Sequence, residues 1–256
     1  MKFENTDVWG FEHALRGMRN PLNSWDKGDS GYIDRRFNDQ FHIGKNDLDL
    51  AQRLIKAGSC NCKFLRQIFV SVDITAPMYW FGEFDTYKVG TVANSTSKMH
   101  KLASTPITKD CFEMDDFESV QLHCYPNVGT FEVEEIWEKH IENCEKLRLA
   151  YVATKNKLFW KELVRLLPES WLQKRTVTMN YENVLNMYHH RKNHKLNEWS
   201  GTDDPSKPNF CSWVLSLPYA KEFFIEPFEP DFKVVKAESR SRTEQERQEL
   251  VRGELC

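Results

Sequence analysis

The chain has 256 residues, of which 40% are hydrophobic and 29% are charged, a composition that is typical of a globular protein and excludes a disordered one. The formal net charge of −3 excludes a global basic field, so we expect no nucleic-acid partner. No stretch approaches the roughly 18 apolar residues of a membrane span, and the N-terminus lacks the apolar core of a secretory signal, so we expect a cytoplasmic protein without a membrane partner.

Seven cysteines are scattered along the chain, and their odd number favours free thiols over a disulfide framework in a cytoplasmic protein. They are Cys60, Cys62, Cys111, Cys124, Cys144, Cys211 and Cys256. Cys60 and Cys62 are separated by one residue, and His123 lies beside Cys124, so neither pair has the C-x2-C spacing of a structural zinc site. We therefore expect no bound metal.

The first elements are predicted from turn residues and from the spacing of apolar residues. Residues 1–45 are rich in turn residues and show weak periodicity. Residues 46–58 (NDLDLAQRLIKAG) carry an apolar stripe at helical spacing, with Asn46 as the expected cap and Gly58 as the stop. Residues 64–77 (FLRQIFVSVDITAP) are rich in β-branched residues and phenylalanine, which predicts a strand that ends at its proline.

The middle of the chain is predicted to be mainly helical. The residues after this strand, up to Lys101, are expected to form a helix that enters a loop. Residues 102–130 carry turn signals and are expected to wrap the surface. Residues 132–152 begin with several acids and repeat apolar residues at helical spacing, which predicts a strong helix, and a second helix over residues 156–167 stops at the following proline.

The last third of the chain mixes one extended segment with helices. Residues 175–180 (RTVTMN) fit either a short strand or an extended connector. Residues 181–193 are predicted to form a helix capped by Asn180. Residues 201–209 form a predicted loop, and the apolar residues 210–224 are expected to pack back onto the core.

The sequence contains no internal repeat and no linker long enough to divide it. We therefore expect one mixed α/β domain over residues 1–235. A charged tail over residues 236–256 is expected to be a solvated helix or a disordered end.

Two clusters of polar side chains stand out. The first combines an acid with short hydroxyls, an amide and lysines: Glu83, Thr86, Tyr87, Lys88, Thr91, Asn94, Thr96 and Lys98. The second is richer in amides and cations: Arg165, Asn180, Glu182, Asn183, Asn186, His190, Arg191 and His194. Because Asn183, Asn186 and His190 are three and four residues apart, a helix places them on one face. That face either orders a polar ligand through directed hydrogen bonds or is simply solvated.

The sequence contains no signature of a nucleophilic enzyme. It has no Gly-x-Ser-x-Gly elbow, no P-loop, no Gly-x-Gly-x-x-Gly and no His-Glu-x-x-His motif. If the protein is an enzyme, we expect it to work through orientation, electrostatics and a cofactor.

The first cluster resembles the signature region of the flavin-dependent thymidylate synthases, which have Ala-Pro, an aromatic and apolar turn, Gln, and then R-H-R-x-x-S-x-N-E-x-S-x-R-Y. When Ala76-Pro77 is aligned with the family's Ala-Pro, the rest of the motif aligns without a gap, and Glu83 aligns with the Gln. Four residues keep the type of side chain that the motif has at their positions, namely Lys88, Thr91, Thr96 and Lys98. The chain departs from the motif at five residues, Thr86, Tyr87, Ala93, Asn94 and Met99.

The second cluster resembles the family's second binding segment, which runs Leu-Pro, a connector, Asn-x-Arg-Ser-Leu, an Asn, an Arg and a nearby His. Four residues fall on matching positions without a gap, namely Pro168, Asn180, Asn186 and Arg191. Glu182 replaces an Arg, His194 lies one residue short of the His position, and Arg165 lies one residue closer to the Pro than the family's phosphate-binding Arg. The resemblance covers residues 46–101 and 160–199.

The resemblance implies an α+β fold in which a mixed or antiparallel sheet packs with long helices. It also implies a homotetramer that binds FAD between subunits, with NADPH and methylenetetrahydrofolate as co-substrates and dUMP, or a related pyrimidine nucleotide, as the substrate methylated at C5. Arg191 would be the catalytic residue that polarises the pyrimidine. The implied cofactor-binding residues are Tyr87, Lys88, Asn94, Asn180, Asn186 and His194. The implied substrate-binding residues are Glu83, Thr86, Thr96, Lys98 and Arg165.

The departures from the motif weaken the contacts that would bind FAD. Thr86 and Tyr87 remove two cations, and each lost charge-assisted hydrogen bond is worth about 1.5–3 kcal/mol. Glu182 puts an acid where it would repel a diphosphate. The alternatives to an active enzyme are a nucleotide-binding protein that has lost flavin chemistry and an interaction protein of the same fold.

Overall fold

A computed structural model of the protein describes residues 1–34, 38–114 and 133–228. The predictions for most of the surface segment 102–130 and for the tail 236–256 therefore lie outside the described residues, as do those for His123, Cys124 and Cys256. Among the described residues, no helix has the length and apolar content needed to cross a membrane.

Within residues 1–34 and 38–114, the structure contains five strands and four α-helices. In order they are β1 (Lys2–Trp9), α1 (Phe11–Met18), β2 (Gly31–Asp34), β3 (Asn38–His42), α2 (Lys45–Lys56), β4 (Phe69–Pro77), α3 (Met78–Phe84), β5 (Val92–Ser95) and α4 (Lys98–Lys101). A 3-10 helix, Lys63–Gln67, leads into β4.

The second part is mainly helical. Its elements are α5 (Val133–Thr154), α6 (Lys157–Leu166), β6 (Leu172–Asn180), α7 (Tyr181–Arg191), α8 (Asn197–Ser200), α9 (Phe210–Leu215) and α10 (Ala220–Phe224). The predicted helices over 132–152, 156–167 and 181–193 are confirmed within two residues at each end. Asn180 caps α7 as predicted, because its side chain accepts a hydrogen bond from the backbone N–H of Asn183.

Four strands form an antiparallel sheet in the order β1-β4-β6-β5, and β2 pairs with β3 in a separate hairpin. The central pair, β4 and β6, is in register from Phe69 opposite Asn180 to Pro77 opposite Leu172. The segment left open as a strand or a connector is thus a strand, and it is longer than expected. The predicted α+β class, with an antiparallel sheet packed by helices, is confirmed.

Alternation along the central strands gives the sheet one apolar and one polar face. The buried face carries Val70, Val72 and Ile74 of β4 with Val177 and Met179 of β6. The opposite face is polar. Asp73 accepts hydrogen bonds from Thr176 and Asn5 and pairs with Lys174, and these bonds lower the pKa of Asp73 to about 2.

Helices cover the apolar face with a core rich in aromatic side chains. Its fully buried members include Trp80, Phe81, Phe84, Tyr181, Trp199, Phe210, Phe223 and Phe224. The segment 210–224 packs into this core as predicted. A second and smaller cluster lies beside α5 and α6 and consists of Leu102, Ile107, Phe112, Cys144 and Leu163.

Three local predictions were wrong. The strand predicted from residue 64 begins at Phe69, because the residues before it form the 3-10 helix. The loop expected after α3 contains the short edge strand β5. Asn46 is not the cap of α2, which begins one residue earlier.

The start of α2 is capped from a distant loop. Both carboxylate oxygens of Asp29 accept backbone N–H groups, from Asn46 and Asp47. Burial opposes ionisation of Asp29, but these bonds outweigh it and lower its pKa. Asp47 in turn forms a buried ion pair with Arg19 at 2.5 Å. This contact fixes the N-terminal region, where the sequence showed weak periodicity.

Candidate functional site

The two predicted polar clusters meet because of how α3 and α7 leave the sheet. Helix α3 follows β4 at Pro77, and α7 follows β6 at Asn180, at the opposite end of the strand pair. Glu83 in the last turn of α3 nevertheless reaches Arg191 at the end of α7. Residues far apart in sequence are thereby joined at one place.

The centre of the site is a group of four side chains, Glu83, Tyr87, Arg191 and His194, which we call the Arg191 cluster. Arg191 Nη1 donates to Glu83 Oε2 at 2.5 Å, and Arg191 Nε donates to the Tyr87 hydroxyl at 3.0 Å. His194 Nε2 lies 3.2 Å from the same Glu83 oxygen. All four residues had been predicted as site residues, and the structure brings them together.

Arg191 rests on aromatic rings. Its guanidinium carbon lies 4.8 Å from the centroid of Trp199 and 5.5 Å from that of Tyr87. Trp199 is fully buried and stacks on Trp80 with a centroid distance of 4.4 Å. These ring contacts limit the rotamers of the arginine. They leave one edge of its planar guanidinium group available for directed hydrogen bonds. The arginine side chain keeps 16% of its surface exposed.

The loop between α3 and β5 packs directly on the first turn of α7. Asn183 donates its amide N–H to the carbonyl of Val89 and to the hydroxyl of Thr91, the latter at 3.3 Å. Gly90 has a φ of 77°, and a β-carbon there would lie 2.9 Å from the amide nitrogen of Asn180. The Asn183 amide therefore holds this loop, and the Asn180 amide caps α7 close to Gly90.

Glu182, the acid that replaces the family's arginine, is neutralised. Arg66 of the 3-10 helix binds both of its carboxylate oxygens, through Nε and through Nη2, the second at 3.0 Å. The hydrogen bond to Glu182 raises the pKa of Arg66. A cation is thus present beside the position of the missing arginine, supplied by another element.

Other predicted residues lie outside the Arg191 cluster. The Thr86 hydroxyl donates to the carbonyl of Glu83, and Thr96 pairs with the backbone of Lys174 and accepts a bond from Gln173. Arg165 pairs with Glu162 within its own helix. Within the described ranges, four side chains make no hydrogen bond or ion pair: Lys88, Asn94, Lys98 and Asn186.

Sequence reasoning missed three residues that shape the site. Arg66 and Trp199 contact predicted site residues, as described above, yet neither lies in a recognisable motif. Arg175 of β6 stacks on Phe81 at 3.8 Å and pairs with Asp85 at 2.7 Å. The only sequence signal for Arg175 was a charge within a strand that is otherwise half buried.

A cavity of about 970 Å³ lies elsewhere, between α1, α2 and the 3-10 helix that precedes β4. It is lined by apolar side chains and by cations such as Lys27 and Lys63, but by none of the predicted site residues. We place the candidate site at the Arg191 cluster because that is where polar groups from separate elements converge, whereas volume alone implies no chemistry.

The described cysteines offer no activated nucleophile at the cluster. Burial raises the pKa of the Cys62 and Cys144 thiols, and it raises the pKa of Cys211 to about 12. None of the five described cysteines hydrogen-bonds to the Arg191 cluster. A covalent thiolate mechanism has no support in this part of the chain.

With its sheet order and helices, the chain has the fold of the flavin-dependent thymidylate synthases, as predicted. It matches two crystal structures of ThyX from Helicobacter pylori with FAD and dUMP, each at a TM-score of 0.57 and 13% identity over 90% of this chain and 100% of that chain. The UMP/dUMP methylase PolB from Streptomyces cacaoi, bound with 5-Br dUMP, matches at a TM-score of 0.44 and 11% identity over 73% of this chain and 76% of that chain. No family model and no curated protein matches the sequence.

Proposed function

We propose that this protein is a divergent flavin-dependent enzyme that transfers a one-carbon unit from methylenetetrahydrofolate to C5 of dUMP, or of a related pyrimidine nucleotide. The observation that carries the proposal is the position of Arg191. In a chain of this fold, the residue that the motif assigns to polarising the pyrimidine is oriented by Glu83 and Tyr87 on the ring of Trp199.

Arg191 suits the role because its guanidinium is planar, permanently charged and already oriented. A donor fixed beside a pyrimidine carbonyl stabilises the enolate-like form of the ring, in which the oxygen carries negative charge and from which C5 attacks the one-carbon unit. No enzyme thiol is needed for this chemistry, which agrees with the buried, high-pKa thiols of Cys144 and Cys211.

The charges around the loop between α3 and β5 fit an FAD diphosphate. Glu182 does not present a free negative charge, because Arg66 pairs with both of its oxygens. Lys88 and Asn186 are exposed, and within the described residues their side chains have no other partner. We assign the contacts to FAD to Lys88 and Asn186, with Asn94 as a further exposed amide. When bound, FAD supplies the hydride that reduces the transferred carbon.

The remaining predicted residues take narrower roles. Tyr87 and His194 contact Arg191 and Glu83 and position them, and Asn180 caps α7, so these three residues support the site rather than bind a ligand. Thr96 and Lys98 are proposed to hold the nucleotide phosphate, with Arg165 as a second cation. NADPH as reductant and a homotetramer that completes the site between subunits remain part of the proposal.

The test is a visible spectrum of the purified protein, followed by an assay for dTMP with dUMP, methylenetetrahydrofolate, NADPH and added FAD. We expect flavin absorbance, formation of dTMP, and a loss of about 100-fold or more in the rate for Arg191→Ala. Arg53→Ala, which removes an exposed arginine of α2, is the matched control and should keep full activity. A protein that neither binds FAD nor forms dTMP contradicts the proposal.

A second function is favoured by one observation, the loss of two cations at Thr86 and Tyr87. Their hydroxyls are engaged with Glu83 and Arg191 and replace no charge. A nucleotide-binding protein without flavin chemistry predicts a colourless protein that binds dUMP in calorimetry and forms no dTMP. That pattern of results would replace the enzyme by the binding protein.

A further inference from the structure

The ion pair between Glu83 and Arg191 leaves unused hydrogen-bonding capacity on both partners. Only one carboxylate oxygen, Oε2, accepts the bond from Arg191, and the same oxygen lies 3.2 Å from His194 Nε2. Within the described residues, Oε1 of Glu83 and Nη2 of Arg191 have no hydrogen-bond partner. The glutamate side chain keeps 35% of its surface exposed and the arginine 16%, so a ligand can reach both.

Neighbouring side chains hold both partners in place. The backbone N–H of Leu196 donates to Nδ1 of His194 at 3.1 Å, so the proton of the neutral ring is on Nε2, which lies 3.2 Å from Glu83 Oε2. Tyr87 holds Arg191 from the other side through Nε. The result is a carboxylate and a guanidinium held in contact, each with one hydrogen-bonding atom still unused.

A touching carboxylate and guanidinium complement a ligand edge that carries an N–H next to a carbonyl oxygen. The imide of uracil is such an edge, because N3–H is a donor and the adjacent carbonyl oxygens are acceptors. N3 of cytosine instead presents a lone pair, which a carboxylate repels. A phosphate group, which is only an acceptor, would also face the negative charge of Glu83.

We propose that Glu83 and Arg191 act as one unit that reads the imide edge of the base, with Glu83 accepting N3–H and Arg191 donating to the neighbouring carbonyl. The inference rests on the proposed function, because it assumes that a pyrimidine nucleotide occupies this site. It makes Glu83 the specificity-determining residue that selects uracil over cytosine and over N3-substituted uracil.

The proposal is tested by calorimetric titration of the full-length protein with dUMP, 3-methyl-dUMP and dCMP. For the wild type we expect affinity for both analogues at least about 10-fold below that for dUMP, since each loses a hydrogen bond to a charged group. A carboxamide can turn its NH2 toward N3 of cytosine, so Glu83→Gln should lower the preference for dUMP over dCMP by about 10-fold or more.

The matched control is Glu135→Gln, the same change at an exposed acid on α5, which should leave all three affinities unchanged. Equal wild-type affinities for dUMP and 3-methyl-dUMP would overturn the inference while leaving the proposed function intact. So would an unchanged dUMP-to-dCMP ratio in a folded Glu83→Gln protein. No binding of any of the three nucleotides would overturn the proposed function and the inference with it.

Discussion

Glu182 shows how a single residue can depart from a motif while its surroundings compensate. The acid stands where the family motif has arginine, and Arg66 contributes the opposite charge from another element. The pair is partly shielded, with Glu182 13% and Arg66 50% exposed. The pair sums to zero charge, so Arg66 cancels the acid but does not restore the net positive charge of the motif's arginine.

This pairing predicts that the two charges can be exchanged. Glu182→Arg alone should lower the free energy of unfolding by about 1 kcal/mol or more, because it places two arginines together. The double variant Arg66→Glu/Glu182→Arg should recover most of that loss, with a coupling energy of about 0.5–3 kcal/mol. Urea unfolding of the two single variants, the double variant and the wild type measures the coupling.

The exposed pair Asp49 and Arg53 of α2 serves as the control for this cycle. Both of its side chains are mostly exposed, so the same exchange there should show a coupling of about 0.5 kcal/mol or less. An equally small coupling for Arg66 and Glu182 would mean that the contact between them is not a stabilising pair.

At the scale of elements, the loop between α3 and β5 depends on one glycine. Gly90 combines a positive φ with close approach to the amides of Asn180 and Asn183. Gly90→Ala should therefore lower the free energy of unfolding by about 1–3 kcal/mol, through backbone strain and displacement of the cap of α7. Thermal or urea unfolding measures this change.

Gly82 gives the matched comparison within the preceding helix. It lies inside α3, and a β-carbon there meets no atom within 4 Å. Gly82→Ala should stabilise the protein by about 0.5–1 kcal/mol, because alanine loses less backbone entropy in a helix. If both variants changed stability by the same amount, Gly90 would have no special role in the loop.

Elements with a strong local signal were predictable, and those defined by distant contacts were not. Caps and apolar periodicity predict the helices α5, α6 and α7, and β-branched residues predict β4. β1 was not predicted, because its side chains are mostly exposed and its ladder depends on β4, far along the chain. The cap of α2 was not predicted either, because it is provided by Asp29, which lies in a separate loop.

The same distinction holds for the site, where the motif predicted residues but not the contacts between them. The motif resemblance identified Glu83, Tyr87, Arg191 and His194, because each falls on or near a motif position. It did not reveal that Glu83 binds Arg191 or that Arg66 neutralises Glu182, since both contacts depend on tertiary packing. Spacing along the chain identifies residues that share a helix face, but not which residue of another element faces them.

At the scale of the whole molecule, two unequal apolar clusters suggest two cooperative units. Among the described residues, the smaller cluster, beside α5 and α6, has five buried members. Its links to the sheet include an isolated bridge between Phe112 and Trp171 and the backbone bond from Met78 N–H to the Trp171 carbonyl. A unit with few buried contacts opens at lower free energy than the main core.

Native-state hydrogen exchange tests this division. Amides of α5 and α6 should exchange through openings of lower free energy than amides of β4 and β6. Leu163→Ala should reduce protection in α5 and α6 while leaving the central strands unchanged, whereas Val177→Ala, in the main core, should reduce protection throughout. Uniform loss of protection in Leu163→Ala would show that the molecule unfolds as one unit.

The strand order has a consequence for how the protein emerges from the ribosome. β4 pairs with β1 on one side and with β6 on the other. β1 precedes β4 in the chain, but β6 is synthesised much later and ends at Asn180. Until then, the hydrogen-bonding edge of β4 and its apolar side chains Val70, Val72 and Ile74 have no lasting cover. The nascent chain thus carries an aggregation-prone strand through much of its synthesis, and chaperone binding should be greatest between the emergence of β4 and that of β6.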